Sequence, residues 1–586
     1  MSSFLRHLAL LLQRSLAIGG VALCLTACAE LPKNVDRPVS TALTSPSGTP
    51  LATVVQKRRD AARGRFESGF MLLDGPPAAY GSRLALVEGA QKTLDLQYYA
   101  IHADASTARL LIGVRDAARR GVRVRILLDD FHSTGRDALV MRLAFEPNIE
   151  MRMFNPLAGA RASTVGRLFN SLDDAPRIQQ RMHNKLFIAD NVLAVTGGRN
   201  LGDAYFGNAS KANFIDLDVL VAGPLVQDLS RSFDAYWNNE RAYPVQSLVT
   251  REELDEMRAR AKKADAAQSA ASAADGTRAA NGEQRPQGEA PTAEQRAHAW
   301  DQKAMDLSTA TFVWAPAVVL VDRPGKIAAD DAGPSAGTGK APGLVVTRQT
   351  GRPPGARPGN SLDAAADTAA GGDTVVEGLL QLIGLARSDL LIISPYFVPG
   401  PDMKQAFASA RARGVRIQVL TNSLASNDAP VAHVGYARHR EELLAMGIEL
   451  YELRSEQAGL SSAFGSSGSS GSNMSGESRS MLHSKVLVMD GRMLVVGSMN
   501  LDLRSQLQNT EIALLIRSDE LSRVATGKIE TALREGAWRV ERNDGQLVWR
   551  APQGSGLQDT TTEPDASTSL RMMLKLFGPL APDRLL

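Results

Sequence analysis

The sequence predicts an α/β fold made of two related lobes that pack together. Its 586 residues exceed the length of one ordinary domain, so two or more domains are expected. One order of elements also occurs twice: a strand-like apolar run, a helical stretch, and a second branched apolar run. These elements span residues 94–129 in the first copy and 390–420 in the second. A Gly-Val-Arg sequence precedes the last strand of both copies, and its glycine suits the end of the preceding helix.

Composition and charge are those of a soluble globular protein. Hydrophobic residues make up 44% of the chain and charged residues 22%, and the formal net charge is +3. A protein that binds nucleic acid usually carries a basic stripe, and the sequence holds no long run of Lys and Arg. We therefore expect no nucleic-acid partner.

The N-terminus has the pattern of an export signal. Arg6 and Arg14 precede an apolar stretch at residues 15–27, which is shorter than the roughly 20 residues that a membrane span needs. Leu-Thr-Ala-Cys at its end resembles the bacterial lipobox, in which the cysteine, here Cys28, is acylated. We expect a lipoprotein of the bacterial cell envelope that faces the periplasm, and the non-acidic Ala29 favours the outer membrane. A single transmembrane anchor is the alternative.

Composition divides the chain into five segments. They are a signal peptide (1–28), a flexible tether (29–65), a first lobe (66–250), a helical and low-complexity linker or insertion (251–372), and a second lobe with a C-terminal tail (373–586). A Gly/Ser loop at 465–472 either gates access to a site or is a tolerated surface insertion. The tail at 570–582 forms either a packed helix or a contact with a membrane interface.

One set of residues recurs with identical spacing in the two halves. The set is His183, Lys185, Asp190, Gly197 and Asn200 in the first half and His483, Lys485, Asp490, Gly497 and Asn500 in the second. A histidine and a lysine two positions apart lie on one face of a strand, because side chains alternate with period two. The turn-forming residues after each strand predict a hairpin that returns the glycine and asparagine to the same end. A surface histidine or a turn explains each residue alone, but not the repetition of the set.

The repeated set suits the cleavage of a phosphodiester. That reaction needs a nucleophile, an acid for the departing oxygen, and positive groups around the phosphoryl oxygens. One imidazole is neutral to attack phosphorus and the other is protonated to donate, which histidine can do near neutral pH. Lys185, Lys485, Asn200 and Asn500 can bind the phosphoryl oxygens as charge develops. No metal-ligand spacing is present in the sequence, so we expect neither a metal nor a cofactor.

Each half also carries an acidic residue after the asparagine. A carboxylate bonded to the far ring nitrogen of a catalytic histidine fixes its tautomer and stabilises the imidazolium. We expect Asp218 and Glu511 to take this role, and a solvent-facing carboxylate at a strand edge is the alternative for either. Asp190 and Asp490 belong to the candidate catalytic set as well, although turn formation is their first expected role.

The doubled motif, His-x-Lys followed five positions later by Asp and then by Gly-Gly or Gly-Ser and Asn, resembles the phospholipase D superfamily. The resemblance covers the chain from about residue 66 onward. It implies two α/β/α lobes related by a pseudo-twofold axis, with one active site between them. It also implies a covalent phosphohistidine, with His183 as nucleophile and His483 as the acid that protonates the departing alcohol.

Three stretches resemble the bacterial cardiolipin synthase branch of this superfamily, and most of all its type C enzymes. They lie at residues 396–399, 422–430 and 433–438. This resemblance implies a phosphatidyltransferase whose substrate is phosphatidylglycerol, phosphatidylethanolamine or both, held at a membrane surface by its acylated N-terminus. A monomer is expected because one chain holds both motifs. A phospholipase D hydrolase, a nuclease of the superfamily and an inactive lipid-binding scaffold are the alternatives.

Overall fold

The computed structural model describes residues 31–159, 161, 175–274, 290–327, 343–347, 361–455 and 479–577. The predicted signal peptide with Cys28, the Gly/Ser loop at 465–472 and the last residues of the tail lie outside these ranges. Within them, no helix combines the length and the apolar character needed to cross a membrane.

The first lobe alternates strands and helices. In chain order its elements are α1 (Pro50–Ala61), β1 (Gly69–Leu73), α2 (Pro76–Gly89), β2 (Thr93–Tyr98), α3 (Ala105–Arg119), β3 (Arg123–Asp129), a 3₁₀ helix (Asp137–Phe145), β4 (Ile149–Phe154), α4 (Ala175–Gln179), β5 (Leu186–Ala189), β6 (Leu193–Gly197), a 3₁₀ turn (Asp203–Tyr205), β7 (Ala212–Ile215), β8 (Asp218–Ala222), α5 (Leu225–Trp237), β9 (Ala242–Pro244), a 3₁₀ turn (Val245–Ser247), α6 (Arg251–Ala274), α7 (Ala293–Asp301) and β10 (Val313–Trp314).

The second lobe repeats this arrangement. Its elements are β11 (Ala317–Asp322), a 3₁₀ turn (Pro324–Lys326), β12 (Leu344–Val346), α8 (Ser361–Ala369), α9 (Val375–Ile383), β13 (Asp389–Ile393), β14 (Phe397–Val398), α10 (Pro401–Ala412), β15 (Arg416–Asn422), α11 (Pro430–Ala437), α12 (Arg440–Ala445), β16 (Glu449–Leu453), β17 (Arg479–Leu482), β18 (Val486–Met489), β19 (Met493–Gly497), β20 (Leu501–Asp502), α13 (Leu503–Leu507), β21 (Ile512–Arg517), α14 (Asp519–Thr531), a π-helical turn (Ala532–Gly536), β22 (Ala537–Asn543), β23 (Gln546–Arg550) and α15 (Thr568–Phe577).

Two large mixed sheets confirm the predicted duplicated α/β fold. The first has the strand order β10-β1-β8-β6-β5-β2-β3-β4-β9, and the second has the order β12-β11-β21-β19-β18-β13-β15-β16-β22-β23. Position by position, β1-β8-β6-β5-β2-β3-β4-β9 corresponds to β11-β21-β19-β18-β13-β15-β16-β22. In each sheet three strands in the order β2-β3-β4 or β13-β15-β16 run parallel, and the hairpin strands beside them run antiparallel.

The two sheets share one hydrophobic core, in which α5 and α14 also lie. Phe233 and Trp237 on α5 and Ile529 on α14 belong to a single buried cluster with Val219 on the first sheet and Leu514 on the second. The outer faces are covered separately, by α2 and α3 on the first sheet and by α9 and α10 on the second. Because both faces of the motif hairpins are buried, strands such as β5, β18 and β19 are apolar throughout rather than alternating. Each lobe is thus an α/β/α sandwich, and the lobes adjoin across the shared layer.

The segment predicted as a flexible tether is partly ordered on the first lobe, which corrects that prediction for residues 31–65. Part of it forms α1, and the stretch before α1 binds α5 and the residue just after it. The backbone N–H of Ser40 donates to Asn238 at 3.1 Å, and that of Ala42 donates to Asp234 at 2.8 Å. Side-chain acceptors on the lobe therefore hold a segment that has few apolar residues of its own.

The segment predicted as a linker contributes strands to both sheets, which corrects the expected boundary at residue 373. β10 pairs with β1 at the edge of the first sheet, and β11 pairs with β21 in the second. β11 occupies the position that β1 has in the first lobe, so the second lobe begins near residue 317. Within the same segment, the α6 helix extends over Arg251–Ala274. The strands β10 and β11 were not predicted, because the Ala/Gly-rich composition of the surrounding stretches indicated a linker.

Candidate active site

Each motif histidine lies just before a strand of its own sheet, and the backbone at and before the histidine pairs with backbone of the other lobe. His183 follows Met182, which forms a parallel bridge with Thr510, and the His183 backbone N–H donates to the Thr510 carbonyl at 2.9 Å. His483 follows β17, which pairs with β7 of the first lobe, and its N–H donates to the Ile215 carbonyl at 2.9 Å. Backbone from both lobes therefore holds each histidine at the boundary between them.

The carboxylates that contact the two histidines also come from the opposite lobes. Nδ1 of His183 lies 3.0 Å from Oε2 of Glu511, and Nδ1 of His483 lies 2.7 Å from Oδ2 of Asp216. Both carboxylates are fully buried. Since an ionised carboxylate only accepts hydrogen bonds, each Nδ1 carries the hydrogen. Nε2 is then the ring nitrogen left for chemistry in both histidines.

Asp216, not the predicted Asp218, is the acidic partner in the first half. The Asp218 carboxylate accepts a hydrogen bond from the buried Arg83 guanidinium at 2.9 Å and one from the Arg199 backbone N–H at 3.2 Å. Asp218 therefore neutralises arginines of its own lobe. It is the first residue of β8, and the carboxylate that contacts His483 stands two positions earlier, before β8 begins.

The strand register explains this correction. Gly197 pairs with Asp218 across β6 and β8, and Gly497 pairs with Ala513 across β19 and β21. Asp216 and Glu511 each stand two residues before the paired residue, so they are equivalent. Counting back from the strand partner of the motif glycine would have selected Asp216 from the sequence, but that register is a property of the folded sheet.

The residue after each motif glycine lies against the carboxylate that contacts a motif histidine. A Cβ atom on Gly198 would lie 2.4 and 2.6 Å from the two Asp216 carboxylate oxygens, so only glycine fits there. The matching residue in the second half is Ser498, whose hydroxyl donates to Oε2 of Glu511 at 2.5 Å. The Gly-Gly and Gly-Ser versions of the motif thus hold the two carboxylates by different contacts.

The two motif lysines are buried beside the histidines. Nζ of Lys185 donates to the His183 carbonyl at 2.6 Å, and Nζ of Lys485 donates to the His483 carbonyl at 2.5 Å. Burial lowers the pKa of Lys185 to about 7 and that of Lys485 to about 8, against the attraction of the nearby carboxylates. The Lys485 cation also lowers the pKa of Lys185.

Burial also controls the charge of the two imidazoles. It lowers the pKa of His183 and of His483 to about 4, although a carboxylate next to each ring favours the charged form. Burial opposes the ionisation of Glu511, but His183 and Lys185 outweigh it and bring the pKa of Glu511 to about 2. Near pH 7 the free site therefore contains neutral imidazoles backed by ionised carboxylates.

The two motif asparagines have different surroundings. Oδ1 of Asn200 accepts from the Ala100 backbone N–H at 3.2 Å, and its Nδ2 donates to the Tyr205 hydroxyl at 3.0 Å. Asn500 is also buried, yet among the described residues its Oδ1 atom has no hydrogen-bond partner. The side-chain oxygen of Asn500 is therefore the more available of the two.

Asp190 and Asp490 lie at the hairpin turns and bind backbone, which corrects their place in the catalytic set. Both have positive φ angles, 49° and 52°, in the turns after β5 and β18. The Asp190 carboxylate accepts from the backbone N–H groups at the start of β2, including that of Thr93 at 3.0 Å. The Asp490 carboxylate does the same at the start of β13, including Ser388 at 2.8 Å. These residues fix the motif strands against their neighbours.

The site contains residues that the sequence did not single out. Ring contacts to His183 and His483 come from Tyr99 at 5.0 Å, Tyr205 at 5.3 Å and Phe214 at 5.0 Å. Asp129 and Asn422 end the equivalent strands β3 and β15, and each accepts from the backbone N–H just before a motif histidine, at 2.9 and 2.8 Å. Comparing the last residues of the two repeated strands would have revealed this second pair.

A family model described as "Cardiolipin synthase, PLD-like domain" matches the chain twice, at residues 84–237 and 379–532. Each matched range contains one His-x-Lys pair and the carboxylate that contacts the histidine of the other range. The chain belongs to the phospholipase D-like cardiolipin synthase family. The family predicted from the doubled motif is thereby confirmed.

Relatives within this family are similar over most of their length. Cardiolipin synthase C of Escherichia coli K12 is 32% identical over 540 residues, which cover 89% of this chain and 96% of that protein. An uncharacterized protein of Helicobacter pylori 26695 is 28% identical over 88% of this chain and 89% of its own. The crystal structure of phosphatidylserine synthase from Haemophilus influenzae Rd KW20 covers 90% of this chain and 99% of its own, with a TM-score of 0.50 and 13% identity. This last likeness shows a common fold.

Proposed function

We propose that the protein is a phosphatidyltransferase that moves a phosphatidyl group from one phospholipid to the hydroxyl of phosphatidylglycerol, as a cardiolipin synthase does. The observation that carries the proposal is the pair of histidine–carboxylate contacts that cross between the lobes, with a buried lysine beside each histidine. The similarity to cardiolipin synthase C over 89% of the chain supports the choice of substrate class.

In the first step, Nε2 of His183 attacks the phosphorus atom of the donor lipid. A P–N bond forms while the P–O bond to the headgroup alcohol breaks. The neutral ring near pH 7 provides the lone pair, and Glu511 stabilises the positive charge that develops on it. His483, protonated when the anionic lipid binds, gives its Nε2 proton to the departing alcohol, and Asp216 holds its ring.

In the second step, the acceptor hydroxyl loses its proton to Nε2 of His483 and attacks the same phosphorus. A new P–O bond forms, the P–N bond breaks, and His183 returns to its neutral form. Each histidine therefore ends the cycle in its starting state. Because the two rings titrate in one site, the pH dependence of the reaction belongs to the pair rather than to one ring.

Lys185, Lys485 and Asn500 would bind the phosphoryl oxygens. The two ammonium groups are buried, so they interact strongly with charge that develops on the phosphoryl group. The Nδ2 group of Asn500 would donate a hydrogen bond to a phosphoryl oxygen. We assign to Asn200 the lesser role of holding Tyr205 and the backbone near Ala100.

Exclusion of water favours transfer over hydrolysis. His183 is 7% exposed and His483 is 5% exposed, while both lysines are 1% exposed. A lipid that fills the remaining opening leaves little room for water to reach the phosphohistidine. Transfer to a lipid hydroxyl is therefore the reaction that this site supports best.

We further propose that the protein works as a monomer at a membrane of the bacterial cell envelope. The Leu-Thr-Ala-Cys sequence supports acylation of Cys28, and acyl chains would keep the enzyme at its lipid substrate. Mass spectrometry of the membrane-extracted protein tests this directly. A mature N-terminus at Cys28 with added acyl mass is expected, and an unmodified N-terminus at Met1 would contradict the anchor.

Product analysis tests the enzymatic proposal. Full-length protein is incubated with vesicles of phosphatidylglycerol, with and without phosphatidylethanolamine, and the lipids are then resolved. Cardiolipin is the expected product. Phosphatidic acid alone would instead indicate a hydrolase, and cleavage of DNA without any lipid product would contradict the lipid substrate. His183→Ala is expected to abolish the product, and His298→Ala, at an exposed histidine on α7, is the matched control.

A further inference from the structure

A third histidine–carboxylate pair lies in the first lobe, outside the repeated motif. Nδ1 of His102 lies 2.9 Å from Oδ2 of Asp137, and Oδ1 of Asp137 accepts from the Ala103 backbone N–H at 2.8 Å. The pair is reachable from solvent, since 27% of the His102 side chain and 22% of the Asp137 side chain are exposed. The two motif histidines are far more buried than this one.

The described part of the second lobe has no counterpart of this pair at the equivalent position. Ile101 bridges to Leu201, and Phe397 pairs with Leu501 in the same way, so the residue after Ile101 corresponds to Val398. A role that belongs to the repeated chemistry would appear in both lobes. The role of His102 is therefore specific to the first lobe and is not part of the duplicated catalytic set.

Rings connect His102 to the motif histidine of each lobe. On one side its ring is stacked with Tyr205, with centroids 6.4 Å apart and an interplanar angle of 8°, and Tyr205 contacts His483 at 5.3 Å. Only the Tyr205 ring therefore separates His102 from His483, the imidazole that we propose removes the proton from the acceptor hydroxyl.

On the other side, the His132 ring lies 6.1 Å from that of His102. His132 contacts Tyr99 edge-on at 4.9 Å, and Tyr99 contacts His183 at 5.0 Å. His102 and His132 therefore form the outer part of an aromatic wall whose inner part is Tyr99 and Tyr205.

The charges around His102 disfavour an anion at this wall. Burial lowers the pKa of His102, but the hydrogen bond to Asp137 and the attraction of Asp137, followed by that of Asp104 and Asp203, outweigh burial and raise the pKa. These two carboxylates also accept backbone N–H groups, such as that of Ser106 to Asp203 at 2.8 Å. Burial lowers the pKa of His132 to about 3, so this ring is neutral. An uncharged group that both donates and accepts hydrogen bonds suits such surroundings better than a second phosphate.

We propose that His102, oriented by Asp137, and His132 form a subsite for an uncharged polyol, the glycerol headgroup of the acceptor lipid. The inference rests on the proposed function, because it specifies which alcohol the phosphohistidine meets. The terminal hydroxyl of the glycerol would lie at His483 and react, while the neighbouring hydroxyl would bind His102. His102 is a positioning residue in this scheme, since it holds a hydroxyl that does not react.

The test compares two acceptor lipids with one labelled donor and full-length protein. The first acceptor is phosphatidylglycerol, and the second is phosphatidyl-1,3-propanediol, which keeps the terminal hydroxyl but lacks its neighbour. The measured quantity is the ratio of kcat/KM for the two acceptors. The wild type is expected to prefer the glycerol lipid by about tenfold, the effect of one well-formed hydrogen bond. A ratio taken within one preparation does not change when part of the protein is unfolded.

In His102→Gln the ratio is expected to fall towards one, and in Asp137→Asn it is expected to fall as well, because the imidazole loses its orientation. His298→Gln on α7 is the matched control and should keep the wild-type ratio. A wild-type ratio in His102→Gln, or equal use of both acceptors by the wild type, would overturn the subsite while leaving the proposed transfer intact. No transfer to either lipid by the wild type would overturn the proposed function instead.

Discussion

Glu511 accepts the Nδ1 hydrogen of His183 at 3.0 Å, although the two residues belong to different lobes and stand far apart in the sequence. Asp216 and His483 form the reciprocal contact at 2.7 Å. Neither lobe therefore holds both the motif histidine and the carboxylate that contacts it, and the site exists only where the lobes meet. This arrangement makes the position of each imidazole depend on the packing between the lobes.

The assignment of Asp216 predicts different effects for two neighbouring aspartates. Asp216→Asn should lower kcat by about 10²- to 10⁴-fold, because the amide cannot stabilise the charged ring or fix its tautomer. Asp218→Asn should instead lower the free energy of unfolding by about 3–5 kcal/mol, since it leaves the buried Arg83 charge without its partner. Steady-state transfer assays and thermal melts of both variants check this. The reverse pattern would restore Asp218 as the acidic partner.

The residue after the motif glycine provides a second, structural prediction. Gly198→Ala should strongly reduce transfer, because the added Cβ would occupy the place of the Asp216 carboxylate. Ser498→Ala should have a smaller effect, about 1 kcal/mol in transition-state stabilisation, since it removes one hydrogen bond to Glu511. Assays of kcat for both variants, with melting temperatures as the folding control, make the comparison. A fully active Gly198→Ala variant would contradict the close contact.

The roles of the two histidines predict what a rapid quench can trap. With labelled phospholipid, the wild type should yield a phosphorylated protein that is labile in acid, and His183→Ala should yield none. His483→Ala should form it only slowly, because the departing alcohol is not protonated. His298→Ala serves as the matched control and should label like the wild type. Persistent labelling of the His183→Ala variant would assign the nucleophile to another residue.

The lowered pKa of the buried histidines predicts how stability depends on pH. His183 and His483 have a pKa of about 4 in the folded protein and 6.5 in an unfolded chain, because burial disfavours the charged rings. Between these values the unfolded state binds more protons, so stability is fully present above about pH 6.5 and falls as the pH is lowered towards about 4. Melting temperatures measured across this range should show the loss.

A histidine variant separates this effect from other titrating groups. His183→Gln should lose less stability than the wild type between about pH 6.5 and about pH 4, since one buried group no longer titrates. His298→Gln should follow the wild-type curve. Parallel curves for the wild type and His183→Gln would mean that the ring is not held neutral by burial.

The sequence was informative where function depends on short-range pattern. The spacing of His183, Lys185 and Asn200 repeats in the second half, and it identified the duplicated fold and the two His-x-Lys pairs. Composition was less informative for the connecting segments. It described residues 251–372 as a linker, whereas β10 and β11 inside that segment pair with the two sheets. Short strands stabilised by their partners carry little pattern of their own.

The sequence by itself determined the chemistry, because the two His-x-Lys pairs and their turns are local features that strand periodicity places on one face. Only the tertiary structure decided which carboxylate contacts which histidine. That choice depends on sheet register and on packing between lobes, and a shift of one residue along a strand turns a side chain to the other face. In the register of this sheet Asp218 is the strand partner of Gly197 and neutralises Arg83, whereas Asp216, two residues earlier, contacts His483.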